Sequence, residues 1–308
     1  MRKTVNNVTV RGYVFSHRLV ERVTGPTSKN PGQEFINGSM EVAIDEQATT
    51  TVRINFAYVT PKFRNGNDND TYKLLKRIIT SNDVYEKVGN RAIKVRVDAQ
   101  FEPNVFKNRR NDEVVCSTQI GGSFVHELNP GESFGANPAK FTVDMVIGSA
   151  AEREFPNGGS VFELRGYVFN WRQDVVPITL TVSGEDGRRY FEDQEYPMFT
   201  NLWGDIESEV VVSQRESTVA SAFGAPQVET SERQVMRWNV KGASPEPYEY
   251  DDESGITKQE MKEKVLAHET YVAQQTERIN ARNAAPAVYN TPKPVPQHRA
   301  ASVDDFDF

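Results

Sequence analysis

The sequence is poor in the residues that build covalent or metal-held scaffolds. Cysteine occurs once, as Cys116, so no disulfide can form within the chain, and a lone thiol fits a reducing compartment. The four histidines, His17, His126, His268 and His298, lack the short spacings of a metal site. No apolar run reaches the roughly 18 residues that span a bilayer, and the opening "MRKTVNNVTV" has no hydrophobic signal core. These absences lead us to expect a soluble, cytoplasmic chain. There is no phosphate-cradling G-x-x-x-x-G-K-[ST] loop. "GESFG" at 131–135 matches G-x-S-x-G, but a nucleophile elbow needs a strand before it and a helix after it. Here "HELNP" and "ANPAKF" flank it, which is loop chemistry. The acidic runs "NDND" and "YDDE" read as solvated loops rather than cation cages. We expect no catalytic site, no metal and no cofactor.

What is present is a chain of 308 residues with 37% hydrophobic content, enough for about two domains. Its net charge of −7 is unevenly spread. Residues 1–111 hold 19 Lys+Arg against 11 Asp+Glu, residues 112–243 hold 10 against 20, and residues 244–308 hold 7 against 12. Such asymmetry points to partners of opposite sign. The first third suits a phosphate backbone and the rest does not.

One pentapeptide, RGYVF, occurs twice, at 11–15 and at 165–169. In an extended strand successive side chains point to opposite faces. Val8, Val10, Gly12 and Val14 then share one face, and Arg11, Tyr13, Phe15 and His17 the other. In the second copy Leu164, Gly166 and Val168 oppose Arg165, Tyr167, Phe169 and Trp171. A row of rings headed by arginine is what a stacking surface for unpaired bases requires. The same pattern also arises when both faces are buried beneath a loop or a second domain. Trp171, in an acidic setting, is expected to be structural or at an interface.

Along the first part, 7–20 is a strand, followed by the turn-rich "TGPTSKNPGQ". "EFINGSMEVAID" and "TTTVRINFAYVT" alternate, with Val52, Ile54, Phe56 and Tyr58 inward and Thr51, Arg53 and Asn55 outward. "DTYKLLKRIIT" is a short helix with Asp70 as N-cap and a stripe of Leu74, Leu75, Ile78 and Ile79. "AIKVRVDAQF" and "VVCSTQIGGSFVHEL" are two more strands, the first with Lys94 and Arg96 outward. Three strands, a helix and two strands is the element order of the OB-fold, a small barrel that often binds oligonucleotides. The loop expected at 102–112 carries Phe106, Lys107, Arg109 and Arg110, where that fold grips ligands.

Residues 134–243 read as a second, acidic, OB-like β-domain after a basic first domain at 1–133. A strand at 140–147 precedes its RGYVF, so the repeat falls on strand one in the first domain and strand two in the second. Residues 244–285 hold an acidic linker and a helix opened by a Thr257–Glu260 capping box, with Met261, Val265, Val272 and Ile279 as a thin stripe. Residues 286–308 are proline-rich, read as disordered, and end "VDDFDF". The fold class is therefore mainly β: an OB-fold barrel, a second OB-like β-domain, a C-terminal helix and a disordered acidic tail.

A basic OB-like domain, a flexible tail and an acidic tip with a final phenylalanine resemble the single-stranded DNA-binding proteins of replication systems. "FTNLWGDI", the RGYVF strands and the two β-domains look like phage-encoded versions, which would place the chain in the host-cell cytoplasm. Length, the acidic second domain and the added helix depart from the bacterial pattern and put a simple tetramer in doubt. The resemblance implies a non-enzymatic protein that coats single-stranded DNA, with RNA as another possible ligand, in replication or recombination. It implies that Asp304, Asp305, Phe306, Asp307 and Phe308 recruit a helicase, primase, polymerase or recombinase, and it leaves room for a homo-oligomer. The candidate nucleic-acid contacts are Arg11, Tyr13, Phe15, His17, Arg18, Arg53, Lys62, Phe63, Arg64, Lys94, Arg96, Phe106, Lys107, Arg109 and Arg110. The other reading is a structural assembly protein whose β-domains have no nucleic-acid role.

Overall fold

The computed structural model describes residues 3–108, 111, 113–154, 159–216, 228–251 and 255–284, with the side chains of 208–216 and 228–235 excepted. The first eight elements are β1 (Asn6–His17), β2 (Val20–Val23), β3 (Glu34–Ala43), β4 (Thr51–Val59), α1 (Asp70–Ser81), α2 (Tyr85–Val88), β5 (Lys94–Lys107) and β6 (Val114–Glu127). Strand β1 pairs antiparallel with both β3 and β5. Strand β3 pairs with β4, β4 runs parallel to β6 at Asn55 and Gly121, and β6 returns antiparallel to β5. The ring closes on five strands, with α1 between the third and fourth. That is the OB topology.

The alternation explains the ring. Val8, Val10 and Val14 of β1, Val52, Ile54 and Phe56 of β4, and Val95 and Val97 of β5 all point into one core. Helix α1 plugs the barrel with Leu75 and Ile78. Its N-cap is Asn69, one residue before the expected Asp70, and the Asn69 side chain accepts from the Thr71 amide. Thr71 Oγ1 in turn accepts from the Val125 amide at 3.0 Å, tying helix to β6. Tyr58 departs from the expected inward pattern and is exposed. A register shift between Ile36 and Gly38 of β3 slips the alternation of β4 past Ala57, so Val59 rather than Tyr58 enters the core.

The second set is β7 (Ala139–Glu154), β8 (Ser160–Phe169), β9 (Val175–Val182), α3 (Glu185–Glu192), β10 (Met198–Glu216) and β11 (Val228–Ala243). Strand β7 pairs with β8 and β10, β8 with β9, β9 runs parallel to β11, and β11 pairs with β10. This is the same closed ring with a helix in the same place. Sequence reading gave no helix over 185–192, where only Phe191 is buried.

The two rings join through their first strands. β1 and β7 pair antiparallel from Asn6–Val143 to Val10–Ala139, the relation a local two-fold axis produces, and one apolar core runs through both barrels. The seam is polar where the strands begin. The Asn6 side-chain amide donates to the carbonyls of Phe101 and Phe169, each at 3.0 Å, and its oxygen accepts from the Phe101 amide at 2.9 Å. After β11, Tyr248 and Tyr250 pack against Phe199 rather than forming a free linker. Helix α4 (Lys258–Ala284) then begins at the expected capping box: the Thr257 amide donates to Glu260 Oε2 at 3.0 Å and the Glu260 amide to Thr257 Oγ1 at 3.1 Å.

The two RGYVF copies solve one backbone problem. Tyr13 pairs with Ala43 and Tyr167 with Val146, in both cases across the first and second strands of a barrel. A Cβ on the preceding Gly12 would lie 1.8 Å from the Ala43 carbonyl oxygen, and one on Gly166 would lie 2.0 Å from that of Val146. Glycine is required where one backbone crosses another this closely. The strands nevertheless differ, β1 in one barrel and β8 in the other, so the repeat is not register-matched.

Candidate nucleic-acid interface

The expected ring ladder on β1 is not an open face. Tyr13 is 3% exposed and packs in a satellite cluster with Ala43, Ala92 and Phe134. Phe134 meets it edge-on at 5.0 Å, Tyr85 lies at 5.3 Å, and Phe15 stacks on Tyr85 at 6.2 Å. Burial raises the Tyr13 phenol pKa, and the hydrogen bond to Glu46 raises it further. His17 lies behind the same cover. Burial pushes its imidazole below its ordinary value, with Lys87 acting in the same direction. The cations of this face are also engaged. Lys94 Nζ donates to the Pro130 carbonyl at 3.0 Å and sits 5.1 Å from the Tyr13 ring. Arg96 pairs with Asp98 at 2.8 Å, and Arg11 lies 3.9 Å from Glu132. The cover comes from α2 and from the segment carrying "GESFG", which lies in turn and coil. In the second barrel Tyr167 and Phe169 are covered likewise, by Ile256 and Met261 at the start of α4.

Tyr13→Ala is therefore a stability variant. We expect a loss of about 3 kcal/mol, as for other large-to-small changes of buried rings, read as a lower melting temperature. Oligonucleotide affinity of the folded fraction should stay unchanged; an unchanged melting temperature with weakened binding would instead mean that the face opens.

Two of the remaining candidates come together elsewhere. Arg18 and Arg53 line a groove of about 330 Å³ on the outer face of β3 and β4, with Ser39, Asn55, Ala57, Glu102 and Gln119. Arg53 Nη2 donates to Ser39 Oγ at 3.2 Å. At one end of these strands Phe35 and Tyr58 pair at 4.6 Å. Lys62, Phe63 and Arg64 are exposed on the loop after β4, and Phe63 lies 6.3 Å from Phe124 of β6. Phe106 and Lys107 belong to β5, which runs six residues past the strand expected to end at Phe101, opposite Val115 and Val114. The hairpin is longer than its sequence suggested because β5 and β6 keep pairing through "EPNVFK". It leans on the second barrel, where Thr118 Oγ1 donates to the Pro177 carbonyl, and on α4, where Cys116 Sγ lies 3.9 Å from His268 Nε2. Arg109, Arg110 and the tip Asp304, Asp305, Phe306, Asp307 and Phe308 lie outside the described residues, as does the rest of 286–308.

The groove continues into a cleft of about 910 Å³ that shares Ala57, Glu102 and Gln119 with it and is closed by Trp171, Arg172 and α4. Trp171 is 63% exposed, which removes the structural alternative of its expectation and leaves the interface one. Sequence reading also missed Ser39, Gln119 and Glu102. Asn55 alone carried a signal, its place beside Arg53 on the outward face of an alternating strand.

Fold and surface define a mainly β protein of two OB barrels joined edge to edge, with a polar, arginine-bearing groove on the first. The chain belongs to the YorF family, whose model matches residues 4–273. Two solved structures are similar to it: the wild-type single-stranded DNA-binding protein from Thermus aquaticus, at 12% identity and a TM-score of 0.45 over 82% of this chain and 98% of that one, and a deletion mutant of that protein, at 11% and 0.46 over 82% and 100%. No curated protein matches the sequence. Among the described residues no helix is long and apolar enough to cross a membrane, and no group of three or more histidine, cysteine or acidic side chains could hold a metal.

Proposed function

We propose that this chain binds single-stranded DNA across the outer face of β3 and β4. The observation that carries the reading is the groove of Arg18, Arg53, Ser39, Asn55 and Gln119 on the strand pair that OB-folds offer to oligonucleotides. Arginines there meet the backbone, and the exposed rings of Tyr58, Phe63 and Phe106 offer stacking surface elsewhere on the same barrel. The excess of 19 basic over 11 acidic residues in 1–111 supplies a long-range attraction.

The wider role is coating single strands during replication or recombination, in a phage-type system in the host cytoplasm. The sequence of the tip supports recruitment of replication enzymes: Phe306 and Phe308 suit apolar pockets, and Asp304, Asp305 and Asp307 suit their basic rims.

Fluorescence anisotropy of labelled oligonucleotides, at several lengths and salt concentrations, tests the reading. Wild type should bind with a steep salt dependence. Arg53→Ala should weaken binding and lower the slope of log K against log salt by about 0.7, as losing one phosphate contact on a single strand does. No binding at low salt, or an Arg53→Glu chain that binds like wild type, would refute the assignment and favour an assembly role.

A further inference from the structure

Trp171 stands on a turn built to hold it still. Asn170 Oδ1 accepts from the amides of Arg172 and Asp174, each at 2.9 Å. Gln173 is clamped from outside the turn: its side-chain oxygen accepts from Thr4 Oγ1 at 2.8 Å, and its carbonyl accepts from Lys264 Nζ of α4 at 2.6 Å. The Arg172 guanidinium lies 4.7 Å from the indole centroid. One ring face is thus occupied by a cation, and the 63% exposure belongs to the rest of the ring. A large indole left exposed on a hydrogen-bonded turn is unusual for a structural residue, whereas a stacking site requires a ring with an open face.

The cleft that Trp171 lines is more acidic than basic. Glu102, Asp174, Glu260 and Glu263 bring four carboxylates into it against the two cations Arg172 and Lys264, and Lys264 is already bonded to the Gln173 carbonyl. Carboxylates repel a phosphate backbone but accept hydrogen bonds from the exocyclic amino group of a base, as they do from cytosine N4. The adjoining groove carries mainly the opposite chemistry, the guanidiniums of Arg18 and Arg53, and Ala57, Glu102 and Gln119 are common walls of both, so one carboxylate stands where the two meet.

We infer that the two barrels share one single-strand site, in which the backbone follows the arginine groove of the first barrel and Trp171 of the second stacks a base bearing an amino group inside the acidic cleft. This rests on the proposed single-stranded DNA binding and adds to it a second-barrel contact and a preference among bases.

The test compares oligo(dC) and oligo(dT) of equal length on the full chain. In a Trp203→Phe/Trp238→Phe chain, Trp171 is the sole tryptophan, and its emission should be quenched on saturation with oligo(dC). Because Trp238 packs against Phe101, the Trp171→Ala chain gives a second readout in which only an exposed residue changes. It should bind oligo(dC) about tenfold more weakly, in keeping with the loss of one stacked base, and oligo(dT) with a smaller loss. Trp171→Phe should recover most of the affinity. If Arg53→Ala weakens binding but Trp171→Ala does not, the shared site is wrong and the proposed function stands. Equal losses on oligo(dC) and oligo(dT) would overturn the amino-group preference. A wild-type chain that binds neither oligonucleotide overturns both readings.

Discussion

Gly12→Val and Gly166→Val are each expected to destabilise the chain by at least about 3 kcal/mol, the upper range for forcing extra atoms into a packed interior. The atom in the way is a backbone carbonyl oxygen, at 1.8 Å for Gly12 and 2.0 Å for Gly166, so no rotamer change relieves it. The first two strands of the barrel must separate, and with them goes the ladder from Tyr13–Ala43 to His17–Met40 in one case and that around Tyr167–Val146 in the other. For a chain of this size the melting temperature should fall by roughly 6–12 °C. Gly131→Val is the control: nothing lies within 4 Å of its Cβ position, and a surface change of this kind stays within about 0.5 kcal/mol. Thermal melts followed by circular dichroism decide the matter. A Gly12→Val chain that melts with wild type would show that the strands cross less closely than the structure has them.

The same pentapeptide shows how far the sequence could be read. Alternation placed Val8, Val10 and Val14 in the core and the rings outside it, because a period of two is a local property. It could not say what lies over the rings, because the cover comes from Tyr85 and Phe134, some 70 and 120 residues away in the chain, and from Ile256 and Met261 in the second barrel. The element order of the first barrel was legible because α1 has a strong apolar stripe. α3 was not, since "EDGRRYFE" buries a single side chain. In the groove, Arg53 was legible as an outward cation. Its separation from Arg11, Lys94 and Arg96 was not, because all four sit on strands of similar pattern and only barrel closure sends them to different sides; Arg18, between β1 and β2, carried no such signal. The place of Trp171 in the cleft was not legible for a related reason: Asp174 is a sequence neighbour, but Ala57, Glu102 and Gln119 come from the other barrel.

Asp144→Ala is expected to cost about 3 kcal/mol, because it leaves several buried donors without an acceptor at once. Asp144 is completely buried on β7, beside the seam between the barrels. Its Oδ2 accepts from the Val5 amide at 2.8 Å, and its Oδ1 from Asn201 Nδ2 at 2.7 Å and the Tyr248 hydroxyl at 3.2 Å. The Asp144 amide also donates to the Val5 carbonyl at 2.8 Å, which extends the β1–β7 pairing by one residue. One side chain therefore receives donors from the first barrel, from β10 and from the segment that leads to α4. Removing it takes the acceptor from three groups at once, and a buried donor left without one costs about 1–3 kcal/mol. The loss should be local as well as global. Amide hydrogen exchange at Val5 and along residues 6–10 should speed up more than exchange at Val95 and Val97, which belong to the first ring alone. Urea denaturation gives the total and exchange gives its location. Because the shared single-strand site needs the second-barrel turn held against the first-barrel groove, binding that depends on Trp171 should weaken together with the seam, while the contribution of Arg53 persists. If Asp144→Ala unfolds at the wild-type urea concentration and Val5 remains protected, the barrels are held by their apolar core alone and the carboxyl group has no part in joining them.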